Sequence, residues 1–144
     1  MIHNYQTPFG AFTLEFFDGF VTSAYFDEAT GIDCRTQSAE NFMPELVPNT
    51  SSLQLKPQGT AFQLRVWAGI SKIPFGETNS YKQVAIALKM PSAVRAVASA
   101  ISQNPIACFI PCHRIIRADG NIGGYRWDSS RKKMLLDYEK INSN

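Results

Sequence analysis

Residues 80–103 read SYKQVAIALKMPSAVRAVASAISQ, and this stretch decides the fold. Ser80 and Gln83 stand three apart, the spacing at which a hydroxyl and an amide reciprocally cap the first turn of a helix. Tyr81, Val84, Ala85 and Leu88 then fall at i, i+3, i+4 and i+7, the period of a half-buried helix. Pro91 ends that helix, because it has no N–H to donate and its ring crowds the preceding turn. Ser92 can cap a following helix, in which Val94, Val97, Ala98 and Ile101 face inward. Two short helices joined by a tight turn make a helix-turn-helix. The outward face of the later helix holds Ser92, Arg95, Ala96, Ser99 and Gln103. These mostly small side chains let a backbone approach a groove closely but offer few base-specific hydrogen bonds. The pattern suits binding to DNA of any sequence, or else an ordinary surface helix of little bulk.

Downstream, Asn104-Pro105 closes this helix and leads into an apolar run, Ile106-Ala107-Cys108-Phe109-Ile110, which reads as a buried strand. Pro111 stops the ladder, so Cys112 is expected at a stiff corner just outside the sheet. A thiol is nucleophilic as the thiolate, and a nearby imidazole or cation lowers its pKa. His113 and Arg114 follow at once. Neighbours in an extended segment point to opposite sides, so either a water bridges Cys112 and His113 or the chain turns there. Taken alone, the pair fits a buried structural cysteine better than a nucleophile. Asp119-Gly120-Asn121 and Gly123-Gly124 are loop signals, and Gly123, Gly124 and Tyr125 are expected as a mobile lip over a pocket at Cys112. Residues 129–140 read as a last helix with Met134, Leu135 and Tyr138 as its apolar stripe. Its basic start, Arg131-Lys132-Lys133, reads as a solvated face.

Upstream, Thr60 and Gln63 form another capping box, opening a helix over about residues 61–72 with Phe62, Val66 and Ile70 on one stripe. Residues 7–26 read as a β-hairpin. Phe12, Leu14 and Phe16 alternate with smaller or polar residues, Asp18-Gly19 supplies the turn, and Phe20, Thr22, Ala24 and Phe26 continue on the second strand. Residues 27–58, with Pro44, Pro48 and Pro57, read as loops and a linker.

A chain of 144 residues, 44% apolar, makes one domain or two small ones sharing a core. No stretch has membrane-spanning length, and the start lacks the basic and apolar segments of a secretory signal. Cys34, Cys108 and Cys112 show no metal-ligand spacing, and His3 and His113 are the only histidines, so neither a metal nor a cofactor is expected. A reducing, cytoplasmic setting suits a cysteine nucleophile. Charge is uneven. Residues 1–57 carry two basic and seven acidic side chains, net −5, and residues 58–144 carry 12 basic and 5 acidic, net +7. The basic part suits a polyanion partner, or simply a solvated face.

Pro111-Cys112-His113-Arg114 resembles the active-site signature of the O6-alkylguanine-DNA alkyltransferases, the methylated-DNA–protein-cysteine methyltransferases. The likeness runs through Gly59-Thr60-Ala61-Phe62-Gln63, Val66-Trp67, Ile73-Pro74-Phe75-Gly76-Glu77-Thr78, Ser80-Tyr81, Arg95-Ala96-Val97, Asn104-Pro105 and Gly124-Tyr125-Arg126-Trp127. The resemblance implies an α+β protein: a small β-rich N-terminal domain over 1–57, shortened against the family's fuller α/β domain, then an alkyltransferase domain over 58–144 with a winged helix-turn-helix-like motif. It further implies DNA repair by irreversible, single-turnover transfer of an alkyl group from O6-alkylguanine to the protein's own Cys112.

By the same resemblance His113 is the base, acting through water, and Glu139 orients it. Asn104 is the hinge between helix-turn-helix and active site, and Tyr81 helps rotate the nucleotide and hydrogen-bonds the flipped guanine. Arg95 is the intercalating arginine, beside Ser92, Ala96 and Ser99 in the minor groove. Arg114 supports the loop or binds phosphate. Tyr125, Arg126 and Trp127 line the pocket, with Trp127 either narrowing its mouth or folded into the core. The implied partner is double-stranded DNA containing O6-alkylguanine, bound by a monomer, nucleoid-associated when on DNA. The rival expectations are a non-catalytic binder of alkylated bases that recruits other repair factors, a sequence-reading helix-turn-helix regulator, and a cysteine hydrolase. Cys112 argues against the first, and the bland recognition face against the second.

Overall fold

A computed structural model of the chain describes residues 2–26 and 54–143. The loops expected over residues 27–53, and Cys34, lie outside the described residues. The chain forms two compact units, one of residues 1–58 with 105–109, the other of residues 59–104 with 110–144. Residues 105–109 thus belong with the first unit, not with the second as a single boundary at 57/58 implies.

In the first unit β1 (Ile2–Thr7), β2 (Gly10–Phe17) and β3 (Phe20–Phe26) make an antiparallel sheet in the order β1-β2-β3. The expected hairpin is thus extended by one strand. Asp18 (φ 53°) and Gly19 (φ 83°) both adopt positive φ, the turn whose twist matches that of the flanking strands. The simple alternation expected along β3 is broken. Glu15 pairs with Ser23 but Phe16 with Val21, so Thr22 bulges out of register. Val21, Ala24 and Phe26 are buried in consequence, while Phe20 and Thr22 are only half-buried. The Phe12 ring packs 4.9 Å from that of Phe26 and 6.4 Å from that of Phe109.

The apolar run Ile106–Ile110 is buried throughout but is not a strand. Its backbone bridge to the described sheet pairs Ile106 with Ala24 in parallel. Ala24 N–H donates to the Pro105 carbonyl (2.9 Å) and Ala107 N–H to the Ala24 carbonyl (2.8 Å). The chain then curls, with Phe109 N–H on the Ala107 carbonyl and Cys108 at φ +69°. A left-handed residue cannot continue a ladder, and hydrophobicity alone does not distinguish a buried turn from a buried strand.

The second unit holds four helices among the described residues. In α1 (Ala61–Ile70) the Thr60–Gln63 capping box is complete, with both bonds near 3 Å. Val66, Trp67 and Ile70 are buried, and the Trp67 indole N–H donates to the Ala100 carbonyl at 2.8 Å. The Ser80–Gln83 box opens α2 (Tyr81–Ala87) as expected. The third helix, α3 (Val94–Ser102), starts later than its sequence suggests. Pro91 and Ser92 sit in a turn closed by Ala93 N–H on the Met90 carbonyl, so Ala93 is the N-cap and Ser92 does not cap. Val97, Ala100 and Ile101 are buried, and Ser92, Arg95, Ala96, Ser99 and Gln103 are all exposed.

Two short strands, β4 (Asn79–Ser80) and β5 (Ile115–Ile116), pair in parallel. The last helix, α4 (Ser129–Asn142), is capped by the Asp128 carboxylate, which accepts from Ser130 N–H. Its basic start is no solvated face. Arg131 and Lys132 are buried, and only Lys133 is exposed, beside Asp137. No described helix is long and apolar enough to cross a membrane.

Candidate active site

Pro111 precedes a one-turn 3-10 helix, Cys112-His113-Arg114, fixed by Cys112 N–H on the Ile110 carbonyl (2.7 Å) and Arg114 N–H on the Pro111 carbonyl (3.0 Å). The chain therefore turns at Cys112 instead of staying extended. β5 begins directly after this turn and pairs with β4, which runs straight into Tyr81. The two-residue ladder thereby sets the start of α2 beside the cysteine turn. A cavity of about 310 Å³ opens there, lined by Tyr81, Ile101, Ser102, Cys112, Gly124, Tyr125 and Arg126. Of the residues expected at a pocket, Cys112, Tyr81, Tyr125 and Arg126 are brought together. Trp127 is not among the lining residues. It is 8% exposed, with the Tyr125 ring edge-on at 5.3 Å and the Arg126 guanidinium over its own ring at 5.3 Å. It backs the pocket wall and does not narrow the mouth.

Behind Cys112 lies a buried polar cluster. His113 Nε2 contacts Glu139 Oε2, and Glu139 Oε1 accepts from Arg114 Nε at 2.7 Å and from Gly76 N–H at 3.3 Å. Gly76 reaches the carboxylate from a turn at φ +86°, a conformation that suits glycine. Arg114 is 6% exposed. Its remaining nitrogens donate to Glu139 Oε2 (3.2 Å) and the Ile73 carbonyl (2.8 Å). The phosphate contact expected of Arg114 is thus not available to it. Asn104 is also buried, and its amide donates to the Ile110 carbonyl at 2.8 Å. It clips together the two points where the chain leaves and re-enters this unit.

The electrostatics define the resting state. Burial pushes the Cys112 thiol up to about 11, against weaker opposition from the Asn104 hydrogen bond and the Lys132 charge. The thiolate expected from a neighbouring imidazole is therefore not the resting form. Burial likewise lowers His113, with Glu139 pulling the other way. Burial alone would raise Glu139, but His113 and Arg114 outweigh it and hold the carboxyl at about 2. A carboxylate only accepts, so the His113 nitrogen facing it must carry the proton. Nδ1 of the neutral ring is then a bare base. It is buried and has no hydrogen-bond partner. Tyr81 is raised, by burial first and then by the nearby Cys112.

Lys132 is the residue that sequence reasoning missed. Its Nζ donates to the Ile115 carbonyl (2.5 Å) and the Gly124 carbonyl (3.1 Å), 5.9 Å from the Tyr81 ring. Burial lowers it to about 8, and among the described residues no carboxylate pairs with it. Lys132, Leu135 and Glu139 fall at i, i+3 and i+7 and are the buried line of α4. That spacing was the available signal, hidden because the basic triplet Arg131-Lys132-Lys133 reads as surface. No described cluster of three or more His, Cys, Asp or Glu side chains could hold a metal.

Residues 61–141 match the family model described as 6-O-methylguanine DNA methyltransferase, DNA binding domain. The chain is 54% identical over 91 residues to the bifunctional transcriptional activator/DNA repair enzyme Ada of Escherichia coli, covering 63% of this chain and 26% of that protein. It is 48% identical over 93 residues to a probable methylated-DNA–protein-cysteine methyltransferase of Acanthamoeba polyphaga mimivirus, covering 65% and 62%. The chain thus spans about a quarter of the first relative and under two thirds of the second. Among solved structures, that of Mycobacterium tuberculosis OGT in complex with DNA matches with a TM-score of 0.80 and 33% identity, over 97% of this chain and 92% of that one.

Proposed function

Because the chain belongs to the 6-O-methylguanine DNA methyltransferase family, we propose that it repairs DNA by moving the alkyl group of O6-alkylguanine onto Cys112. The observation that carries this reading is a buried cysteine on the wall of a cavity of about 310 Å³, backed by a buried histidine with an unpartnered Nδ1. In the proposed reaction the Cys112 proton passes through a water to His113 Nδ1, and the Glu139 carboxylate, held in place by Arg114, stabilises the resulting imidazolium. Lys132, buried without a counter-charge, favours the thiolate. The sulfur attacks the alkyl carbon in line and the carbon–O6 bond breaks. The electron pair goes to the base, which takes up one proton and leaves as guanine. Tyr81, raised and lining the cavity, stays protonated and so can donate to the base as charge builds on it. The product is a thioether, which has no easy route of exchange or hydrolysis, so each molecule acts once.

A stacked base does not reach a thiol in a cavity, so the nucleotide must be flipped out. The small exposed face of α3, with Ser92, Ala96 and Ser99, would lie in the minor groove, and Arg95 would fill the gap left in the stack. The solved structures of Mycobacterium tuberculosis OGT and of Schizosaccharomyces pombe Atl1 with DNA support a DNA-bound state for this reading. The protein would act as a monomer, since the proposed chemistry draws on one chain only.

The test is intact-protein mass spectrometry after mixing with a duplex that carries one O6-methylguanine. The expected result is a gain of one methyl per protein, mapped to Cys112 and absent in Cys112→Ala, which still binds the duplex. Transfer that persists in Cys112→Ala, or sustained turnover at excess DNA, would refute the proposal. Tight binding without any mass gain would favour the non-catalytic reading.

A further inference from the structure

A second groove, of about 330 Å³, is walled by Thr78, Asn79, Ser80 and Gln83 around the start of α2 and by Arg117 and Gly120 after β5. The β4–β5 ladder that sets Tyr81 beside the cysteine turn therefore also builds this groove. The Ser80 hydroxyl and the Gln83 amide are occupied by their capping box. The side chains of Thr78, Asn79 and Arg117 hold no hydrogen bond or ion pair among the described residues. Arg117 is exposed, but its backbone is fixed. Its N–H donates to the Asn121 carbonyl at 2.8 Å, and its carbonyl accepts from Gly120 N–H at 3.0 Å. The Asp119 carboxylate of the same turn accepts from Asn121 N–H at 3.0 Å and does not pair with Arg117. The groove thus offers an uncompensated guanidinium on a rigid turn, with two further polar side chains beside it. A guanidinium fork matches the oxygens of a phosphate.

The groove adjoins the Cys112 cavity. A Cβ on Gly123 would lie 3.5 Å from Tyr81 Oη, 3.6 Å from Arg117 Cγ and 3.8 Å from Lys132 Nζ, so these three side chains surround one point. A nucleotide strand carries a phosphate on either side of every base, so a base held in the cavity brings two phosphates to its rim. We propose that the second groove seats one of these two flanking phosphates, held by the Arg117 guanidinium with Thr78 and Asn79 as further donors. Arg117 is on this account a binding residue for the alkylated strand, and the assignment rests on the base-flipping, alkyl-transfer reading above. The seat also reaches the chemistry. Against burial and Cys112, which raise the Tyr81 hydroxyl, Arg117 pulls it down, and after burial Arg117 adds to the lowering of Lys132. An anion on Arg117 relieves both effects, and so favours the protonated Tyr81 and the charged Lys132 that the reaction uses.

The test reads affinity by fluorescence anisotropy in the full chain carrying Cys112→Ala, where no alkyl group moves, with and without Arg117→Gln. The duplexes carry one O6-methylguanine and, one at a time, a neutral methylphosphonate in place of each nearby phosphate. With Arg117 present, neutralising one of the two flanking phosphates should weaken binding at least about tenfold. With Arg117→Gln the same neutralisation should cost less than about twofold, and the slope of log affinity against log salt should be shallower by about 0.9. The same penalty with and without Arg117 at every position would overturn the inference. So would non-additivity only at a phosphate beyond the two flanking ones, or an unchanged salt slope. No penalty above about twofold at either flanking phosphate would overturn it from the Arg117-containing protein alone, so a poorly folded variant cannot hide the answer. Methyl uptake by the unaltered chain is scored separately by mass, so a failure of the alkyl-transfer reading is not mistaken for a failure of the phosphate seat.

Discussion

Replacing Glu139 by Gln should weaken the fold substantially at neutral pH and much less in acid. The carboxylate is 1% exposed and accepts from His113, from two Arg114 nitrogens and from Gly76. Moving a carboxyl from its ordinary 4.5 to about 2 corresponds to about 3 kcal/mol of folding free energy at pH 7. An independent estimate agrees, since removing one partner of a buried ion pair costs about 3–5 kcal/mol. Glutamine matches the shape but turns an NH2 toward groups that are themselves donors. The pH dependence follows from a depressed folded-state pKa. The stabilisation is complete above the unfolded value near 4.5 and is lost as pH falls toward 2. The gap between wild type and Glu139→Gln should therefore be about 3 kcal/mol at pH 7 and shrink to about 1 kcal/mol at pH 3. Urea unfolding followed by circular dichroism at a series of pH values measures this. If the variant is too weak to fold, the acid loss of wild-type stability still reads the same quantity. A gap under about 1 kcal/mol at pH 7, or one that does not change with pH, would refute the reasoning.

Lys132→Met should slow methyl transfer while relieving a buried, uncompensated cation. Because Lys132 is lowered to about 8, the folded protein binds fewer protons than the unfolded chain above neutrality, so wild type should gain about 1 kcal/mol on the variant between pH 7 and 9 in urea titrations. Arg95→Ala should slow transfer from duplex DNA more than transfer from the free alkylated base, whereas equal losses in the two single-turnover assays would remove Arg95 from any flipping role. Arg114→Lys should instead lower the urea midpoint by an amount worth about 3 kcal/mol, yet leave the salt dependence of DNA affinity unchanged, because Arg114 faces the interior. Trp67→Phe abolishes the bond to the Ala100 carbonyl between α1 and α3 and should cost about 1–3 kcal/mol in the same unfolding assay.

The parts of the fold readable from sequence were those fixed by neighbours a few residues apart. Thr60 with Gln63 and Ser80 with Gln83 announce their helices because both hydrogen bonds of a capping box close within one turn. The bland outer face of α3 was legible for the same reason, being a matter of helical period. What sequence hid was set by distant partners. Nothing in Ile106–Ile110 signals the left-handed Cys108, so a buried turn looked like a strand. Lys132 reads as surface charge because its acceptors, the carbonyls of Ile115 and Gly124, lie outside its own helix, and the choice between loop support and phosphate for Arg114 stays open until the distant Glu139 carboxylate decides it. For Trp127 the sequence leaves mouth and core both open, and packing against the Tyr125 ring and the Arg126 guanidinium decides between them.

The bridge between Ala24 and Ile106 carries a timing constraint on biosynthesis. A chain emerging from the ribosome can close the β2–β3 hairpin early, because its turn is local. The segment that bonds to Ala24 on both sides, Pro105 to Ala107, emerges only after all of α1, α2 and α3. The unit that begins first is therefore completed late, after the helices of the other unit have been translated. Such nesting couples the two units during folding and argues against a simple N-to-C order of assembly. Translation pauses placed before and after Phe109 should leave nascent chains with very different resistance to protease in the sheet.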